Sequence, residues 1–178
     1  MNREVAGAAA VGAAITLLDR MHWSHGVLAY GAPGLLWGQP LWVPFLFAAA
    51  AVALMLAHRW MVGFRLGYAP AGNLLTALGH TGVFALAYAC TAVFHRQPVL
   101  LTIGLVAAWL PVALAQRYAG FVTLAVAAAV LGPLVESAII GTGAFRYLHP
   151  DLGRVPMWLP ALYLWAAYCG AGLDRGLR

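Results

Sequence analysis

Six long apolar runs, separated by breaks that contain arginine, proline or glycine, constrain this chain more than any other feature of its sequence. A helix needs about 20 mostly apolar residues to cross the hydrocarbon core of a bilayer, and such breaks are typical of helix ends. The sequence therefore predicts an all-α, polytopic membrane protein, a bundle of six transmembrane helices that forms one domain over residues 1–178. The runs cover residues 5–18, 42–59, 74–94, 99–115, 121–140 and 157–173.

The composition argues against a soluble protein and against one that binds nucleic acid. Hydrophobic residues make up 63% of the chain and charged residues 8%, whereas soluble domains have about 25% charged residues. The bilayer must therefore act as part of the solvent. The ten basic residues are all arginines and are scattered singly, so no basic run could follow a nucleic-acid backbone. The frequent arginine, alanine and glycine indicate a bacterial genome of high GC content.

The arginines also predict how the chain is oriented. With six spans, both termini lie on one side of the membrane, and cytoplasmic loops carry an excess of arginine and lysine. Six arginines fall on the side of the termini and four on the other. We therefore expect a multi-pass protein of the bacterial inner membrane with both termini in the cytoplasm. The six are Arg3, Arg59, Arg65, Arg117, Arg175 and Arg178, and the four are Arg20, Arg96, Arg146 and Arg154.

Glu136 is the carboxylate that stands out, because it lies inside the fifth apolar run, three residues after Pro133. A charged side chain within lipid costs several kcal/mol, so an intramembrane acid marks a functional site by default. One interpretation places Glu136 in a cavity, where it meets a ligand hydroxyl or a proton. The alternative places it close enough to the outer end of its helix to reach water or Arg146.

A lipid pocket between the helices is the predicted site. Proline kinks a helix and frees backbone carbonyls, so Pro111 and Pro133 are expected to hold their helices apart and leave a cavity. His80 lies in the third run, where it is either a satisfied core histidine or a hydrogen-bond donor in the cavity. The residues expected to contact the lipid are His80, Glu136, Ser137, Trp42 and Pro133.

The sequence gives no sign of a catalytic, cofactor or metal site. It lacks HExxH, GxSxG and a glycine-rich phosphate loop, which are the motifs of common hydrolases and nucleotide-binding proteins. His22 and His25 could share a helical face, but a zinc site needs further ligands at suitable spacing. We expect these two histidines, together with the aromatic segment 20–40, to lie at the membrane interface. His58, His95 and His149 flank spans and are also predicted to be interface residues.

The connection between the last two runs carries the most specific pattern. It contains Gly143, Tyr147 and the step Pro150–Asp151, followed by Val155 and by Trp158–Leu159–Pro160. An aspartate after proline is suited to cap the next turn. A tryptophan favours the headgroup level, and a proline fits the first turn of a helix. We therefore predict a structural loop formed by Gly143, Tyr147, Pro150, Asp151, Trp158 and Pro160.

This pattern resembles that of the Insig (insulin-induced gene) family of six-span membrane proteins. The spacing of Gly143, Tyr147, Pro150 and Asp151 and of the Trp158-Leu-Pro step matches without a gap. Further similarity lies in Trp42–Val43–Pro44 and in Arg117 followed by Gly120–Phe121. The specific part of the resemblance covers about twenty residues, whereas its hydropathy covers most of the chain.

The resemblance implies a protein that is not an enzyme. Insig proteins bind oxysterol in a cavity among their helices and retain membrane proteins with sterol-sensing domains, notably Scap and the reductase of cholesterol synthesis. Gln116 and Arg117 correspond to the family's partner-binding loop, although Gln116 replaces an acidic residue. Because most bacteria lack sterols, a glycerolipid such as diacylglycerol is an equally suitable ligand. A role in lipid homeostasis through a membrane partner would follow, and small-residue faces also allow a homo-oligomer.

Three other functions stay open from the sequence. A small proton-coupled transporter could be centred on Glu136, although no internal repeat and no second buried charge are evident. A membrane-embedded lipid enzyme could use His22, His25 or Asp151. A purely structural subunit would need none of these residues.

Overall fold

The computed structural model describes residues 3–32, 34–63, 69–116 and 118–178. Within them lie all six predicted helices. Two short strands, which the sequence did not predict, pair with each other. The helices are α1 (Arg3–Ser24), α2 (Trp42–Gly63), α3 (Leu74–Phe94), α4 (Pro98–Gln116), α5 (Ala119–Gly141) and α6 (Leu159–Leu177), and the strands are β1 (Leu28–Tyr30) and β2 (Phe145–Tyr147).

The helices run alternately up and down, which gives the bundle two ends. We call the end that carries β1 and β2 the strand end, and the end where α1 begins and α6 finishes the terminal end. By length and apolar composition, α2, α3, α4 and α5 can each cross a membrane. The helices α1 and α6 are of similar length but more polar, because they bury ionisable side chains such as Asp19 and Asp174 inside the bundle.

Helix α6 is the centre of the bundle, in contact with each of the other five helices. Its glycines make this possible. A Cβ on Gly170 would lie 2.5 Å from the Cβ of Leu54 in α2, and one on Gly176 would lie 2.5 Å from the backbone oxygen of Asn73, next to α3. Small residues allow helices in a membrane to approach this closely.

The strand end is closed by an antiparallel ladder in which Leu28 pairs with Tyr147 and Tyr30 pairs with Phe145. Beyond the ladder, the Gly31 amide donates to the Ala144 carbonyl at 3.0 Å, and a Cβ on Gly31 would collide with the Gly143 carbonyl. The segment 20–40, predicted to be an interfacial loop, is instead α1 as far as Ser24, then β1 and a tight turn.

The loop between α5 and α6 differs from the sequence prediction in the roles of Asp151 and Trp158. Asp151 is exposed and makes no hydrogen bond with any described residue. The turn is closed instead by reciprocal backbone bonds between Leu152 and Val155, of 2.9 and 3.1 Å. Trp158, predicted to lie at the headgroup level, is 1% exposed and belongs to the core. Pro160 does lie in the first turn of α6.

Three histidines predicted to lie at the interface are buried: His22, His58 and His95. In each ring at least one nitrogen has a hydrogen-bond partner inside the protein, which offsets part of the cost of taking a polar ring out of water. His95, at the end of α3, contacts the Ala92 carbonyl oxygen through Nδ1 at 2.9 Å. The partners of His22 and His58 belong to the two polar clusters described next.

Candidate functional site

A cavity of about 170 Å³ lies among α1, α2, α3, α5 and α6, below the β1–β2 ladder. Two of its lining residues, Ala50 of α2 and Val135 of α5, are also exposed on the outer surface of the bundle. The mouth of the cavity therefore lies between α2 and α5. The polar side chains of the wall are Asp19, His22, Tyr30, Trp42, Tyr88, Glu136, Tyr147, Trp158 and Tyr163, and the rest of the wall is almost entirely apolar.

The first polar cluster is centred on Asp19 of α1, which is 2% exposed. Its carboxylate accepts hydrogen bonds from the Tyr88 hydroxyl at 2.8 Å, from the Gln39 side-chain amide at 2.7 Å, and from the Tyr30 hydroxyl. Burial, followed by the neighbouring Asp19 charge, raises the pKa of Tyr30 above its ordinary value. The Tyr30 phenol therefore keeps its proton and remains a donor to the carboxylate.

The second polar cluster is centred on Glu136 of α5. Its two carboxylate oxygens accept from the Tyr147 hydroxyl at 2.6 Å and from the Tyr163 hydroxyl at 2.7 Å. Burial, and then the Glu136 charge, raises the pKa of Tyr147 well above its ordinary value. Tyr147 of β2 thus links the predicted structural loop to the predicted ligand-binding acid.

Tyr163 can reach Glu136 because α5 carries Gly132 one turn earlier. The Tyr163 ring occupies the place where a Cβ on residue 132 would stand. A glycine at this position therefore allows the ring to lie against the α5 backbone.

We expect Gly132→Ala to push the Tyr163 ring away from Glu136 and to lower the free energy of unfolding by about 1–3 kcal/mol, the usual cost of overpacking. The measurement is thermal unfolding of the purified protein in a mild detergent. Gly79→Ala is the matched control, because no described atom lies within 4 Å of an added Cβ there. Equal melting temperatures for the two variants would contradict the packing argument.

The third polar group of the wall is His22 of α1, which is 2% exposed. Its Nε2 lies 2.8 Å from the Thr91 hydroxyl oxygen of α3. Its ring packs edge-on against Tyr88, with 4.4 Å between the ring centroids. Its Nδ1 is buried and has no hydrogen-bond partner among the described residues.

The structure places the five residues predicted to contact lipid in two groups. Glu136 and Trp42 line the cavity, whereas His80, Ser137 and Pro133 are not part of the lining that the described residues form. The Nδ1 of His80 contacts the Tyr168 carbonyl oxygen at 2.9 Å, and the two rings stack. It thus fits the alternative of a satisfied core histidine, between α3 and α6. Helix α5 is continuous through Pro133.

A separate polar cluster closes the terminal end of the bundle. Asp174 of α6 is fully buried and contacts His58 Nδ1 at 2.7 Å, while His58 Nε2 lies 2.9 Å from the Tyr118 hydroxyl. The Arg59 guanidinium bridges Asp174 and Glu4, each at 2.8 Å. Arg178, one turn after Asp174, also donates to it. This network joins α1, α2, α6 and the start of α5.

Of the two residues predicted to bind a partner, Gln116 lies near this end. Gln116, at the end of α4, accepts a hydrogen bond from Arg175 at 3.0 Å through its side-chain oxygen. Arg117 lies outside the described residues. This hydrogen bond attaches Gln116 to α6. The partner-binding role of Arg117 stays a prediction.

Sequence reasoning missed the position of Asp19 in the cavity wall and that of His22, which it placed at the membrane interface, and it missed the burial of Asp174. The first two had a usable signal, because Val11, Ile15, Asp19 and His22 follow one another at spacings of four, four and three residues. This spacing places them on one helical face, and all four line the cavity.

The chain is similar to known proteins in both sequence and fold over most of its length. No protein-family model matches the sequence. An INSIG protein homologue from Mycolicibacterium vanbaalenii is 31% identical over 160 residues, which are 86% of this chain and 76% of the relative. The crystal structure of a mycobacterial Insig homologue from Mycobacterium vanbaalenii matches with a TM-score of 0.81 and 28% identity, over 98% of this chain and 93% of that one. A cross-linked trimer of a cysteine variant of that homologue matches with a TM-score of 0.80 and 28% identity, over 97% and 92% of the two chains.

Proposed function

The chain belongs to the Insig family, and on that premise we propose that it binds a membrane lipid in the cavity between its helices, without catalysing a reaction. The ligand is a sterol-like lipid or a glycerolipid such as diacylglycerol, each of which combines a small polar head with a large apolar body. The observation that carries the proposal is the cavity, with apolar walls and a few buried polar groups. Ligand pockets usually have this form.

The position of the mouth supports entry of the ligand from the bilayer. The fold is that of a six-helix membrane protein, and the mouth lies between α2 and α5, two helices apolar enough to span a membrane. The cavity of about 170 Å³ is smaller than the ~300–1,000 Å³ of pockets that enclose a whole drug-sized ligand. In the proposed complex the head and the first part of the lipid therefore enter the cavity, while the tails remain in the bilayer.

Glu136 and Trp42 keep their proposed role as lipid-contacting residues, because both are in the cavity wall. The loop residues Gly143, Tyr147, Pro150, Asp151, Trp158 and Pro160 are proposed to be architectural, with Tyr147 and Trp158 also facing the ligand. Gly143 supports this role through its positive φ of 79° after α5, a backbone conformation that suits glycine.

The cellular setting is part of the same proposal. We infer a multi-pass protein of the bacterial inner membrane, one domain over residues 1–178, whose termini lie in the cytoplasm because the arginine majority is on that side. Gln116 and Arg117 would then face a membrane-protein partner through which the bound lipid regulates lipid homeostasis. The cross-linked trimer of the homologue supports a homo-oligomer.

The alternative of a proton-coupled transporter centred on Glu136 is not favoured. Both carboxylate oxygens of Glu136 already accept from tyrosines, and the relatives are Insig homologues. The sequence argument that no second acid is buried is wrong, because Asp19 is one. Three hydrogen bonds nevertheless hold Asp19 in the wall of the cavity.

We expect the protein purified in mild detergent to carry one enriched lipid class, and Glu136→Leu to lose most of it. Leucine removes the carboxylate that orders Tyr147 and Tyr163, so the polar part of the cavity loses its arrangement. The measurement is native mass spectrometry combined with extraction and identification of the bound lipid.

Ser137→Leu is the matched control, because it makes the same kind of change one residue away from Glu136 and outside the cavity lining. It should keep the lipid. A lipid mixture that mirrors the membrane, in the unmodified protein as in both variants, would overturn the proposed function.

A further inference from the structure

The tight turn between β1 and α2 carries large apolar side chains that the fold leaves uncovered. We call residues 34–38 the apolar turn. Leu35 is 84% exposed and Trp37 is 63% exposed, and neither lines the cavity. A contiguous exposed apolar surface marks a contact with a membrane or with another protein. These two side chains therefore indicate an interaction surface separate from the cavity.

The backbone of the apolar turn is held in one arrangement. Leu36 and Gln39 exchange backbone hydrogen bonds of 3.0 and 2.9 Å, and the Gln39 side chain donates to Asp19 of α1 at 2.7 Å. Gly34 approaches Gln39 so closely that a Cβ on residue 34 would overlap the Gln39 backbone. The exposed side chains are thus presented by a preformed turn, which lowers the entropy cost of binding through them.

The backbone of Trp37 is in the left-handed region, with a φ of 49°, and it is the one non-glycine residue of the described chain with a positive φ. Glycine or asparagine adopts this conformation at a lower cost. Strained residues of this kind are concentrated at functional sites. The strain at Trp37 therefore indicates that the indole ring, rather than the backbone, serves the turn.

The apolar turn lies against the side of the bundle. The Arg20 guanidinium is 5.9 Å from the centroid of the Trp37 ring, and the Trp23 ring is 3.2 Å from the place of a Cβ on Gly38. Arg20 precedes the end of α1 at Ser24 by four residues, which is about 6 Å at the rise of an α-helix. The turn therefore lies alongside the last turn of α1.

The surface of α1 that leads to the turn faces lipid in a membrane bundle. From Val5 to Leu17 every exposed residue of α1 is apolar, and Arg20 is the next exposed residue. Arg20 forms no ion pair with any residue that the structure describes. An arginine at the end of a lipid-facing surface extends to the headgroups, and tryptophan favours the same level. Phospholipid phosphates would supply the counter-ion that Arg20 lacks within the bundle.

We propose that the apolar turn is inserted into the phospholipid leaflet at the strand end, with Leu35 among the upper acyl chains and the Trp37 indole at the headgroups beside Arg20. This turn alone, and not the whole segment 20–40, is the interfacial element. The inference does not depend on what the cavity binds. Because Gln39 joins the turn to Asp19 of the cavity wall, the inserted turn also fixes the depth of that wall in the leaflet.

The test measures the depth of residue 35 in the full-length protein in phospholipid nanodiscs. Leu35→Cys, in a background of Cys90→Ala and Cys169→Ser, carries a nitroxide label. Electron paramagnetic resonance then compares its collisions with oxygen, which concentrates in lipid, and with a water-soluble nickel chelate. Leu17→Cys is the reference for lipid, and Asp151→Cys, in the exposed loop at the same end, is the reference for water. We expect the ratio of oxygen to nickel collisions at residue 35 to be several times that at residue 151.

A second measurement needs no cysteine variant. The difference in fluorescence between the unmodified protein and Trp37→Phe isolates the Trp37 signal, which lipids brominated in the upper acyl chains should quench and aqueous iodide should not. Nickel collisions at residue 35 as frequent as at residue 151, or quenching of Trp37 by iodide alone, would place the turn in water and overturn the inference. Few collisions with either reagent would overturn it as well, because a second copy or another protein would then cover the turn.

Discussion

Asp174→Leu is expected to lower the free energy of unfolding by about 3–5 kcal/mol, the cost of removing one partner from a buried ion pair. Asp174 is 0% exposed and receives hydrogen bonds from His58, Arg59 and Arg178. Without the carboxylate, Nδ1 of the fully buried His58 has no hydrogen-bond partner, and Arg59 loses the hydrogen bonds that hold it to α6. The terminal end of the bundle would lose its link between α1, α2 and α6.

The measurement is unfolding in a mild detergent titrated with sodium dodecyl sulfate, followed by tryptophan fluorescence. Arg178→Ala is the control, because the Arg178 side chain is 48% exposed and exposed ion pairs contribute about 0–1 kcal/mol. If Asp174→Leu is no more harmful than Arg178→Ala, the cluster at the terminal end does not stabilise the bundle.

Asp19→Leu is expected to lower the free energy of unfolding by about 3 kcal/mol, because it leaves two buried donors and one partly buried donor without their acceptor, and a buried donor without an acceptor costs about 1–3 kcal/mol. The donors are Tyr30, Tyr88 and Gln39. They come from β1, α3 and the segment before α2, so the change should loosen the strand end and, under the proposed function, also reduce the amount of bound lipid.

The same detergent titration measures the stability, and lipid extraction measures the occupancy. Arg20→Gln serves as the control next in sequence, since Arg20 is exposed and its cation–π contact with Trp37 is of a kind that contributes about 0.5–1 kcal/mol. An Asp19→Leu protein as stable as the Arg20→Gln protein would show that the tyrosines find other acceptors.

The helices were predictable because hydropathy alone decides what can cross a bilayer. The third helix begins at Leu74 and ends at Phe94, as the sequence predicts. Its start is reinforced locally, because the Asn73 side chain accepts from the Thr76 amide at 3.1 Å and the Thr76 hydroxyl oxygen accepts from the Asn73 amide at 3.2 Å. The ends of α1 and α6 were placed too early, since their last turns contain ionisable residues that look like flanking residues until the fold buries them.

The site was predictable where a single residue was anomalous. Glu136 is such a residue, a carboxylate in the middle of an apolar run, and the structure places it in the cavity wall. Asp19 and Asp174 stand beside arginines at the ends of runs, where a charged residue is ordinary. Their burial depends on Gln39, Tyr88 and His58, which are 20, 69 and 116 residues away along the chain, and the hydropathy pattern does not contain such pairings.

In the loop between α5 and α6, the residue pattern identified important positions but did not predict the role of each residue. Its Gly143, Tyr147 and Trp158 were singled out by the family resemblance, and the structure places each at a point of close contact or special backbone geometry. Their individual roles were assigned from general preferences, which misplaced Asp151 and Trp158. A preference of tryptophan for the interface yields to packing when the ring can fill a core.

The central position of α6 has a consequence for biosynthesis. Ribosomes add roughly 5–20 residues per second, so a few seconds separate the end of α5 from the end of α6. During that interval the first five helices are in the bilayer without α6, which each of them contacts in the finished fold. The acids of α1 and α5 then lack part of their final surroundings. Variants that weaken the docking of α6 should therefore reduce the amount of protein that escapes membrane proteases, even where the finished molecule is stable.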